Sequence, residues 1–465
     1  MEPVTIGEIL NAVKGRLLGD FSDLDATVSK VNTDSRNIHP GALFVPLIGE
    51  RFDGHAFIED ALEAGAAGVF TARERDRYLP GKFYIQVSNT QRALRDLASY
   101  YRQKFKIRYI GVTGSVGKTT TKDMLAAVLG VKYKVLKTEG NFNNEVGLPL
   151  TLLKLNSSHQ CAILEMGMSS LGEIDYLSKI VEPDVAVITN IGDSHIEFLG
   201  SRENIFKAKC EIFNHMRPGG LAILNGDDLL LRSLEGALSM ETIWCGKGER
   251  NAYRALNIQN DGKSHTFCTI ETPHMKDNVQ IPALGDHMIY PVLMAAAAGE
   301  YFGMTTEEIL QGISDFSPTK MRMNILHRAD NITILDDVYN ANPQSMRAAV
   351  EVLSQTRGKH KIAVLGDMFE LGALAPALHR GIGEYLGKKE IDCLVAAGPL
   401  AKHIYDAALD AGVPQAYYCA TKEEALPILE RLLQKDSTFL VKASRGMAFE
   451  VLISRLKELT APAKP

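Results

Sequence analysis

The chain has 465 residues, a length that predicts about three domains. Its composition, 45% hydrophobic and 23% charged, is typical of globular proteins, and the net charge of -5 argues against general affinity for nucleic acid or anionic membranes. We expect neither a signal peptide nor a membrane-spanning segment, because no apolar stretch approaches roughly 18 residues. The six cysteines form no Cys-x-x-Cys pair, so we expect reduced core thiols in a cytoplasmic protein.

Residues 1–89 are predicted to form a small N-terminal α/β domain. Its apolar spacing predicts helices at 6–13 and 56–64 and strands at 42–47, 67–70 and 83–87. Asp34-Ser-Arg36 lies in this domain. This three-residue segment either presents a hydroxyl and a guanidinium to an anionic ligand such as a diphosphate, or forms an ordinary solvated turn.

Residues 90–316 are predicted to form a central domain with a mostly parallel, doubly wound sheet, because strands and helices alternate along it. Alternating polar and apolar residues around Asn260-Asp-Gly262 indicate a hairpin. The predicted elements are a helix at 90–105, strands at 109–112, 161–165, 184–189 and 222–224, a helix at 202–216, a hairpin within 253–281 and a helix at 285–302.

Residues 317–465 are predicted to form a C-terminal Rossmann-like domain after a linker, Ser317-Pro-Thr-Lys320. This part has no Gly-x-Gly-x-x-Gly turn, so a nicotinamide or flavin role is not supported. The predicted strands are 332–335, 361–365, 394–396 and 439–441, and the predicted helices are 344–353, 377–386, 400–408, 423–433 and 450–459.

The most informative stretch is Gly111-Val-Thr-Gly-Ser-Val-Gly-Lys-Thr-Thr120, between a predicted strand and a predicted helix. In that context a glycine-rich loop cradles phosphates with its N–H groups, Lys118 reaches the outer phosphates and Thr119 can bind Mg²⁺. Val112 stands at the position where the usual phosphate-loop spacing has a glycine. The alternative to a phosphate loop is an ordinary strand–turn–helix that binds no nucleotide. We predict a nucleoside triphosphate site.

Two further strand ends of the central domain carry polar groups that suit a metal beside a phosphate loop. Glu165 ends one predicted strand, and His195 follows another. Ligands bind beyond the carboxyl ends of strands in doubly wound sheets, so a carboxylate and an imidazole there are candidate metal ligands. His195 alone could equally be an ordinary loop histidine. Residues 140–147 contain three asparagines between two glycines, which indicates either a ligand-binding loop or a long connection.

These motifs together resemble the Mur ligase family over essentially the whole chain. The matching pieces are Asp34-Ser-Arg36, Asp53-Gly-His55, 113–120, 140–147, Glu165-Met-Gly167, Asn190 with His195, Ala208-Lys209, Asp336-Asp-Val-Tyr-Asn-Ala-Asn-Pro343, Leu365-Gly-Asp-Met-Phe-Glu-Leu-Gly372, His379 and Val441-Lys-Ala-Ser-Arg445. The chain departs from the family at Gly285-Asp-His-Met-Ile-Tyr-Pro291, where members often have Gly-x-His-Asn-x-x-Asn, and at Ala443, where glycine is common.

The resemblance implies a role for each matching residue. The residues involved in catalysis would be Lys118, Glu165, His195 and Lys209, with Lys209 present as a carbamate. Two Mg²⁺ ions would be bound by Thr119, Glu165, His195 and Lys209. ATP would contact Thr113, Gly114, Ser115, Val116, Gly117, Lys118, Thr119, Thr120, Arg322 and Asp337. The other substrates would contact Ser35, Arg36, Asn141, Asn143, Asn144, Asn340, Asn342 and Arg445.

The implied activity is ATP-dependent addition of D-alanyl-D-alanine to UDP-N-acetylmuramoyl-tripeptide through an acyl phosphate, by a cytoplasmic monomer. Three stretches point to this activity within the family: the asparagine loop, Tyr339-Asn-Ala-Asn-Pro343 and Gly366-Asp-Met-Phe-Glu-Leu-Gly372. The alternatives are a sister ligase that adds a different amino acid, a folylpolyglutamate synthase-like ligase, or a phosphate-loop switch protein that hydrolyses nucleotide slowly.

Overall fold

The computed structural model describes residues 1–49 and 52–461. In these ranges the strands form a two-stranded sheet and three larger sheets of five, nine and six strands, which follow one another along the chain. The α/β class with mostly parallel sheets is confirmed. No helix in the described ranges is both long and apolar enough to cross a bilayer.

The first large sheet has the order β2-β7-β6-β5-β4, with only β2 antiparallel to its neighbour. Helix α1 begins with a capping box in which Thr5 accepts a hydrogen bond from the Glu8 N–H and Glu8 accepts one from the Thr5 N–H. The elements are β1 Val4–Thr5, α1 Ile6–Val13, β2 Arg16–Leu18, β3 Thr27–Val28, β4 Val31–Asn32, β5 Leu43–Phe44, α2 Ile58–Glu63, β6 Gly68–Thr71 and β7 Phe83–Gln86.

The central sheet has the order β16-β15-β14-β13-β12-β11-β8-β10-β9 and is parallel from β9 to β14. The elements are α3 Thr90–Gln103, β8 Arg108–Thr113, α4 Lys118–Gly130, β9 Val135–Lys137, α5 Gly147–Leu152, β10 Cys161–Glu165, α6 Glu173–Val181, β11 Val185–Ile188, α7 Ile196–Leu199, α8 Arg202–Cys210, β12 Leu221–Asn225, α9 Leu229–Arg232, β13 Glu241–Gly246, β14 Tyr253–Asn260, β15 Thr266–Glu271, β16 Lys276–Ile281, α10 Ile289–Tyr301 and α11 Thr306–Ser314.

Strand β8 lies between β10 and β11, so strands that follow it in the chain lie on both of its sides. The loops at the carboxyl ends of these strands therefore diverge next to β8. Such a switch point opens a crevice for ligands. All five residues of β10 are buried, which fits a sheet covered on both faces. The topology thus places the phosphate loop, Glu165 and the segment after β11 at one edge of the sheet.

The C-terminal sheet has the order β17-β18-β22-β19-β20-β21, with only β17 antiparallel. The elements are β17 Asn324–His327, β18 Thr333–Asp336, α12 Pro343–Gln355, β19 His360–Gly366, α13 Ala375–Leu386, β20 Cys393–Ala397, α14 Ala401–Asp410, β21 Gln415–Cys419, α15 Lys422–Leu432, β22 Ser437–Lys442 and α16 Glu450–Leu459.

The helix predicted over 202–216 is shorter in the structure. Helix α8 ends at Cys210 and a 3₁₀ turn, Glu211–Phe213, follows. Glu211 accepts hydrogen bonds from the N–H groups of Gly172 and Asp175, which ties this turn to the start of α6. This tertiary contact overrides the local helical pattern. The six cysteines carry free thiols, five of them buried.

Candidate active site

The loop between β8 and α4 is shaped by two glycines with positive φ. At Gly114, φ is +146°, and a Cβ atom would lie 1.9 Å from Thr189 Oγ1, so only glycine fits. Gly117, with φ of +83°, is the N-cap of α4. The loop therefore brings the amino end of a 13-residue helix, with its unpaired N–H groups, to the carboxyl edge of the sheet.

The segment after β11 holds this loop in place. The N–H of Val116 donates to Asn190 Oδ1 at 3.0 Å, and Asn190 Nδ2 donates back to the Val116 carbonyl at 2.9 Å. The N–H of Ser115 donates to the Asn190 carbonyl at 3.0 Å. Asn190 thus acts on the loop itself, and the predicted phosphate cradle is rigid.

Lys118 folds across the loop, where its Nζ donates to the Gly114 carbonyl at 2.8 Å. Burial lowers the pKa of its ammonium, whereas the nearby Glu165 carboxylate raises it. A partly buried ammonium that lines the cavity and donates to a backbone carbonyl is available to an anionic ligand.

Thr119 and Glu165 form the polar floor of the site. Thr119 Oγ1 donates to Glu165 Oε2 at 3.0 Å, and Asn143 Nδ2 donates to Glu165 Oε1 at 2.8 Å. Arg322 Nη2 reaches Thr119 Oγ1 from the C-terminal region at 3.3 Å. Glu165 is only 2% exposed, so these contacts compensate a buried carboxylate.

This floor fits Mg²⁺. A hydroxyl and a carboxylate are hard oxygen donors, and Mg²⁺ usually takes one or two carboxylates, with the remaining ligands from phosphates and water. Within the described ranges, no group of three or more His, Cys, Asp or Glu side chains could form a closed protein cage. The two donors therefore leave most coordination positions of a bound Mg²⁺ to groups other than protein carboxylates.

His195 lies at the contact between the central and C-terminal sheets. It is the N-cap of α7, with φ of +63°. Its Nδ1 lies 2.6 Å from Glu370 Oε2, but the two atoms are not aligned as a hydrogen bond. The proximity of His195 lowers the pKa of Glu370. Asn342 Nδ2 also donates to Ser194 Oγ across this contact, at 2.7 Å.

Lys209, on α8, is one of the largest fully buried polar side chains in the described chain, with 1% exposure. Burial, followed by the charge of Lys118, lowers its pKa well below the usual value. A neutral amine is the form that reacts with carbon dioxide, and a neutral amine next to Lys118 avoids repulsion between two buried cations. Its environment is thus compatible with the predicted carbamate.

The C-terminal side of the site is organised around Asp337. Lys442 Nζ lies 2.6 Å from Asp337 Oδ2 and donates to the Asn340 carbonyl at 2.9 Å. The Met323 N–H donates to Asp337 Oδ1 at 3.1 Å. The guanidinium of Arg322 lies 3.8 Å from the ring centre of Tyr339. Asp337 and Arg322, both predicted to contact ATP, therefore have Lys442 and Tyr339 as their respective partners. The sequence alone indicated no role for Lys442 or Tyr339.

A cavity of about 570 Å³ unites these groups. The predicted site residues that line it are Ser115, Val116, Gly117, Lys118, Thr119, Thr120, Asn141, Asn143, Asn144, Glu165, His195, Arg322, Asp337, Asn340, Asn342 and Arg445. A second cavity of about 600 Å³ shares Val116, Gly117 and Thr120 and lies against the ends of β11 and β12.

The other predicted site residues lie elsewhere. Thr113 and Gly114 are at the base of the loop, and Lys209 is buried. Arg36 belongs to the first sheet's region, where its largely exposed side chain pairs with Asp34 at 2.8 Å. His379, one of the residues that match the family, lies in the C-terminal sheet region. Both of its ring nitrogens have polar partners there, because Nε2 accepts a hydrogen bond from the Met368 N–H and Nδ1 lies 2.7 Å from the Ala375 carbonyl.

Comparison with known families gives matches along most of the chain. The Mur ligase middle domain matches residues 112–299, the glutamate ligase domain of Mur ligases matches 321–445 and the Mur ligase family catalytic domain matches 27–102. A UDP-N-acetylmuramoyl-tripeptide--D-alanyl-D-alanine ligase of Bacillus subtilis is 41% identical over 456 residues, which is 98% of both chains. The chain belongs to the Mur ligase family.

Other members of the Mur ligase family are similar over the same extent. The enzyme of that name from Escherichia coli is 35% identical and aligns with 98% of this chain and 99% of its own. A crystal structure of MurF from Acinetobacter baumannii superposes with a TM-score of 0.91 at 35% identity, covering 98% of this chain and 99% of the other. MurF ligase from Thermotoga maritima, in complex with ADP, has a TM-score of 0.84 at 29% identity, covering 93% and 97%.

Proposed function

We propose that this chain is an ATP-dependent ligase that joins D-alanyl-D-alanine to UDP-N-acetylmuramoyl-tripeptide, releasing ADP and phosphate and yielding the pentapeptide precursor of peptidoglycan. The observation that carries the proposal is the floor of the 570 Å³ cavity, where Lys118, Thr119 and Glu165 meet at the amino end of α4. The high identity to ligases of that name, over nearly the full length, supports the choice of substrates.

The phosphate loop and Lys118 would hold the ATP phosphates. Thr119, Glu165, His195 and a carbamylated Lys209 would hold two Mg²⁺ ions. When bound, these ions would neutralise phosphate charge and polarise the γ-phosphoryl group. Lys118 would contribute a positive charge held at the phosphate loop, where it would stabilise the charge that spreads over the transferring group. Arg322 and Asp337, which line the C-terminal side of the cavity, would meet the nucleotide from that side.

The reaction needs two steps because a carboxylate does not react with an amine at neutral pH. In the first, a tripeptide carboxylate oxygen attacks the γ-phosphorus, the bond to the β–γ bridging oxygen breaks and ADP leaves. In the second, the free amine of D-alanyl-D-alanine attacks the acyl phosphate carbon. The tetrahedral intermediate then expels inorganic phosphate, the amine loses a proton and the amide remains.

In the proposed complex, the asparagine loop and the C-terminal side of the cavity would hold the two peptides. We assign Asn141, Asn144, Asn340, Asn342 and Arg445 to these contacts, since all five line the cavity. Asn143, predicted with this group, also lines the cavity and donates to Glu165.

We assign Ser35 and Arg36 to the uridine-diphosphate sugar. In this scheme residues 1–89 would bind the sugar nucleotide, residues 90–316 would bind ATP and residues 317–465 would close over the site. The enzyme would act as a monomer in the cytoplasm, where ATP is available. Exposure of the Arg36 guanidinium leaves it accessible to a diphosphate.

The proposal is tested by incubating the purified protein with ATP, UDP-N-acetylmuramoyl-tripeptide and D-alanyl-D-alanine, followed by mass spectrometry and phosphate assay. We expect the pentapeptide product, with one phosphate released for each amide formed. Product with single amino acids in place of the dipeptide would identify a sister ligase, and product with a folate in place of the UDP-tripeptide and glutamate as the amine would identify a folylpolyglutamate synthase-like ligase. Phosphate release that needs no acceptor amine would identify a switch protein.

A further inference from the structure

We infer that Asn143 is a positioning residue that fixes the orientation of the Glu165 carboxylate for metal binding. This inference rests on the proposed function, because it gives a role to Glu165 as a ligand of Mg²⁺. It assigns to Asn143 a task in the ATP half of the site instead of direct recognition of a peptide substrate.

The carboxylate of Glu165 is fixed through both of its oxygens. Oε2 faces Thr119 Oγ1 at 3.0 Å, and Oε1 accepts from Asn143 Nδ2 at 2.8 Å. The last torsion of a glutamate side chain is soft, so a carboxylate held by one oxygen alone could turn its plane. A donor on the second oxygen removes that freedom and leaves Oε2 beside the Thr119 hydroxyl.

The backbone of Glu165 is held as firmly as its side chain. Its N–H donates to the Thr138 side-chain hydroxyl at 3.0 Å, at the end of the fully buried strand β10. The position of the carboxylate therefore depends mainly on the side-chain torsions. These are the torsions that Asn143 constrains.

Asn143 can act in this way because its own backbone is tied to the end of β10. Its carbonyl accepts from the Gly167 N–H at 2.8 Å. A Cβ atom on Gly167 would lie 3.0 Å from Asn143 Cγ, so the absence of a side chain at 167 lets the loop approach the strand.

The rest of the asparagine loop is also rigid. Asn144 Oδ1 accepts from the N–H groups of Val146 at 3.2 Å and Gly147 at 2.9 Å. At Gly147, a Cβ atom would lie 2.4 Å from Phe142 Cα, so the two ends of the loop pack backbone against backbone. Besides the peptide contact assigned above, Asn144 therefore stabilises the loop, and that loop holds Asn143 next to Glu165.

Residues that orient metal ligands typically change metal affinity by 10–100-fold when they are removed. We therefore expect Asn143→Ala and Asn143→Leu each to weaken Mn²⁺ binding at least about 10-fold, measured by isothermal titration calorimetry with a non-hydrolysable ATP analogue present. Leucine is close to asparagine in size but cannot donate. If Asn143 only filled space, the leucine variant would bind Mn²⁺ like the wild type.

The matched control is Glu139→Gln, just before the asparagine loop, because Glu139 is exposed and pairs with surface Lys154 at 2.7 Å. It should leave Mn²⁺ affinity unchanged. Thermal unfolding of each variant reports folding separately, and either Asn143 variant alone suffices if the other does not fold. Unchanged Mn²⁺ affinity in a folded Asn143 variant overturns the inference. Failure of the wild type to form product, with Mn²⁺ binding still dependent on Asn143, would overturn the proposed function and leave the inference standing.

Discussion

Lys118 is the residue whose loss should affect chemistry most directly. Its ammonium is partly buried, lines the cavity and donates to the Gly114 carbonyl, so its charge is available to the transferring phosphoryl group. We expect Lys118→Ala to lower kcat for pentapeptide formation by about 10²–10³-fold, which is typical for loss of one preorganised charge. Steady-state kinetics measures this change. Lys276→Ala, which removes a surface lysine paired with Glu271, is the control and should keep wild-type kcat; equal rates for Lys118→Ala and wild type would contradict the assignment.

Gly114 is required by the shape of the loop. An alanine would place its Cβ 1.9 Å from Thr189 Oγ1 at a φ of +146°, and such backbone strain alone costs about 1–3 kcal/mol. We expect Gly114→Ala to lower the thermal unfolding temperature and to weaken binding of an ATP analogue at least about 10-fold, since 1.4 kcal/mol is a factor of 10. Calorimetry measures both quantities.

The control for this substitution is Gly130→Ala. Gly130 is the last residue of α4, and an added Cβ there would meet nothing within 4 Å. Alanine at such a position is neutral or stabilises by about 0.4–1 kcal/mol. Two variants with the same fall in unfolding temperature would show that the space around Gly114 is not the cause.

At the residue scale, contiguous motifs were the predictable part of the site. The phosphate loop and Glu165 follow buried strands directly, so sequence order and the parallel sheet together predict that they meet. Glu370, Tyr339 and Lys442 contact the site from a separate sheet. Their partners depend on how the two sheets face each other, which local patterns do not encode.

At the scale of elements, helices α1 and α3 are joined by a polar cluster around Glu8. Lys104 and then the Thr5 N–H lower the pKa of Glu8 to about 2 from 4.5. Because the folded pKa is depressed, this stabilisation is present above pH 4.5 and is lost as pH falls towards 2. The side chains are about one-third exposed, so we expect Glu8→Gln to destabilise by only about 1 kcal/mol at pH 7.

The measurement is thermal unfolding of wild type and Glu8→Gln at pH 7 and at pH 3, where the difference should shrink. Glu59→Gln is the control, because Glu59 is 66% exposed in its pair with Arg75. A difference between Glu8→Gln and wild type that does not depend on pH would show that the charge of Glu8 is not responsible.

Strong periodicity made most elements predictable, and short or edge strands were among those that were missed. The ranges 6–13, 161–165 and 450–459 agree with α1, β10 and α16 residue for residue. The edge strand β21 was not predicted, since Gln415–Cys419 has only one buried residue and no clear apolar alternation. The strand β9 is three residues long, too short for a pattern.

At the scale of the whole molecule, the C-terminal sheet region contacts the central one around the cavity and also at a hairpin turn. At the cavity, Asn342 contacts Ser194. The hairpin turn is the one between β14 and β15, where Asn260 Nδ2 donates to Gln355 Oε1 at 3.0 Å and the Arg357 N–H donates to the Gly262 carbonyl at 3.1 Å. Such polar contacts can open and close at modest cost.

We therefore expect the C-terminal region to close on ligand binding by rotation near residues 317–320, which excludes water from the acyl phosphate. Small-angle scattering should show a smaller radius of gyration with an ATP analogue and the UDP-tripeptide than without ligands. The Gly114→Ala variant, which binds the analogue poorly, should compact less. An unchanged radius for the wild type at saturating ligand would contradict closure.

The most direct test of the central claim follows oxygen through the reaction. The tripeptide is prepared with ¹⁸O in its reacting carboxylate and incubated with ATP and D-alanyl-D-alanine, and the released phosphate is analysed by mass spectrometry. An acyl phosphate intermediate transfers one carboxylate oxygen to each phosphate, so inorganic phosphate should carry one ¹⁸O atom. Pentapeptide formed together with unlabelled phosphate would contradict the account.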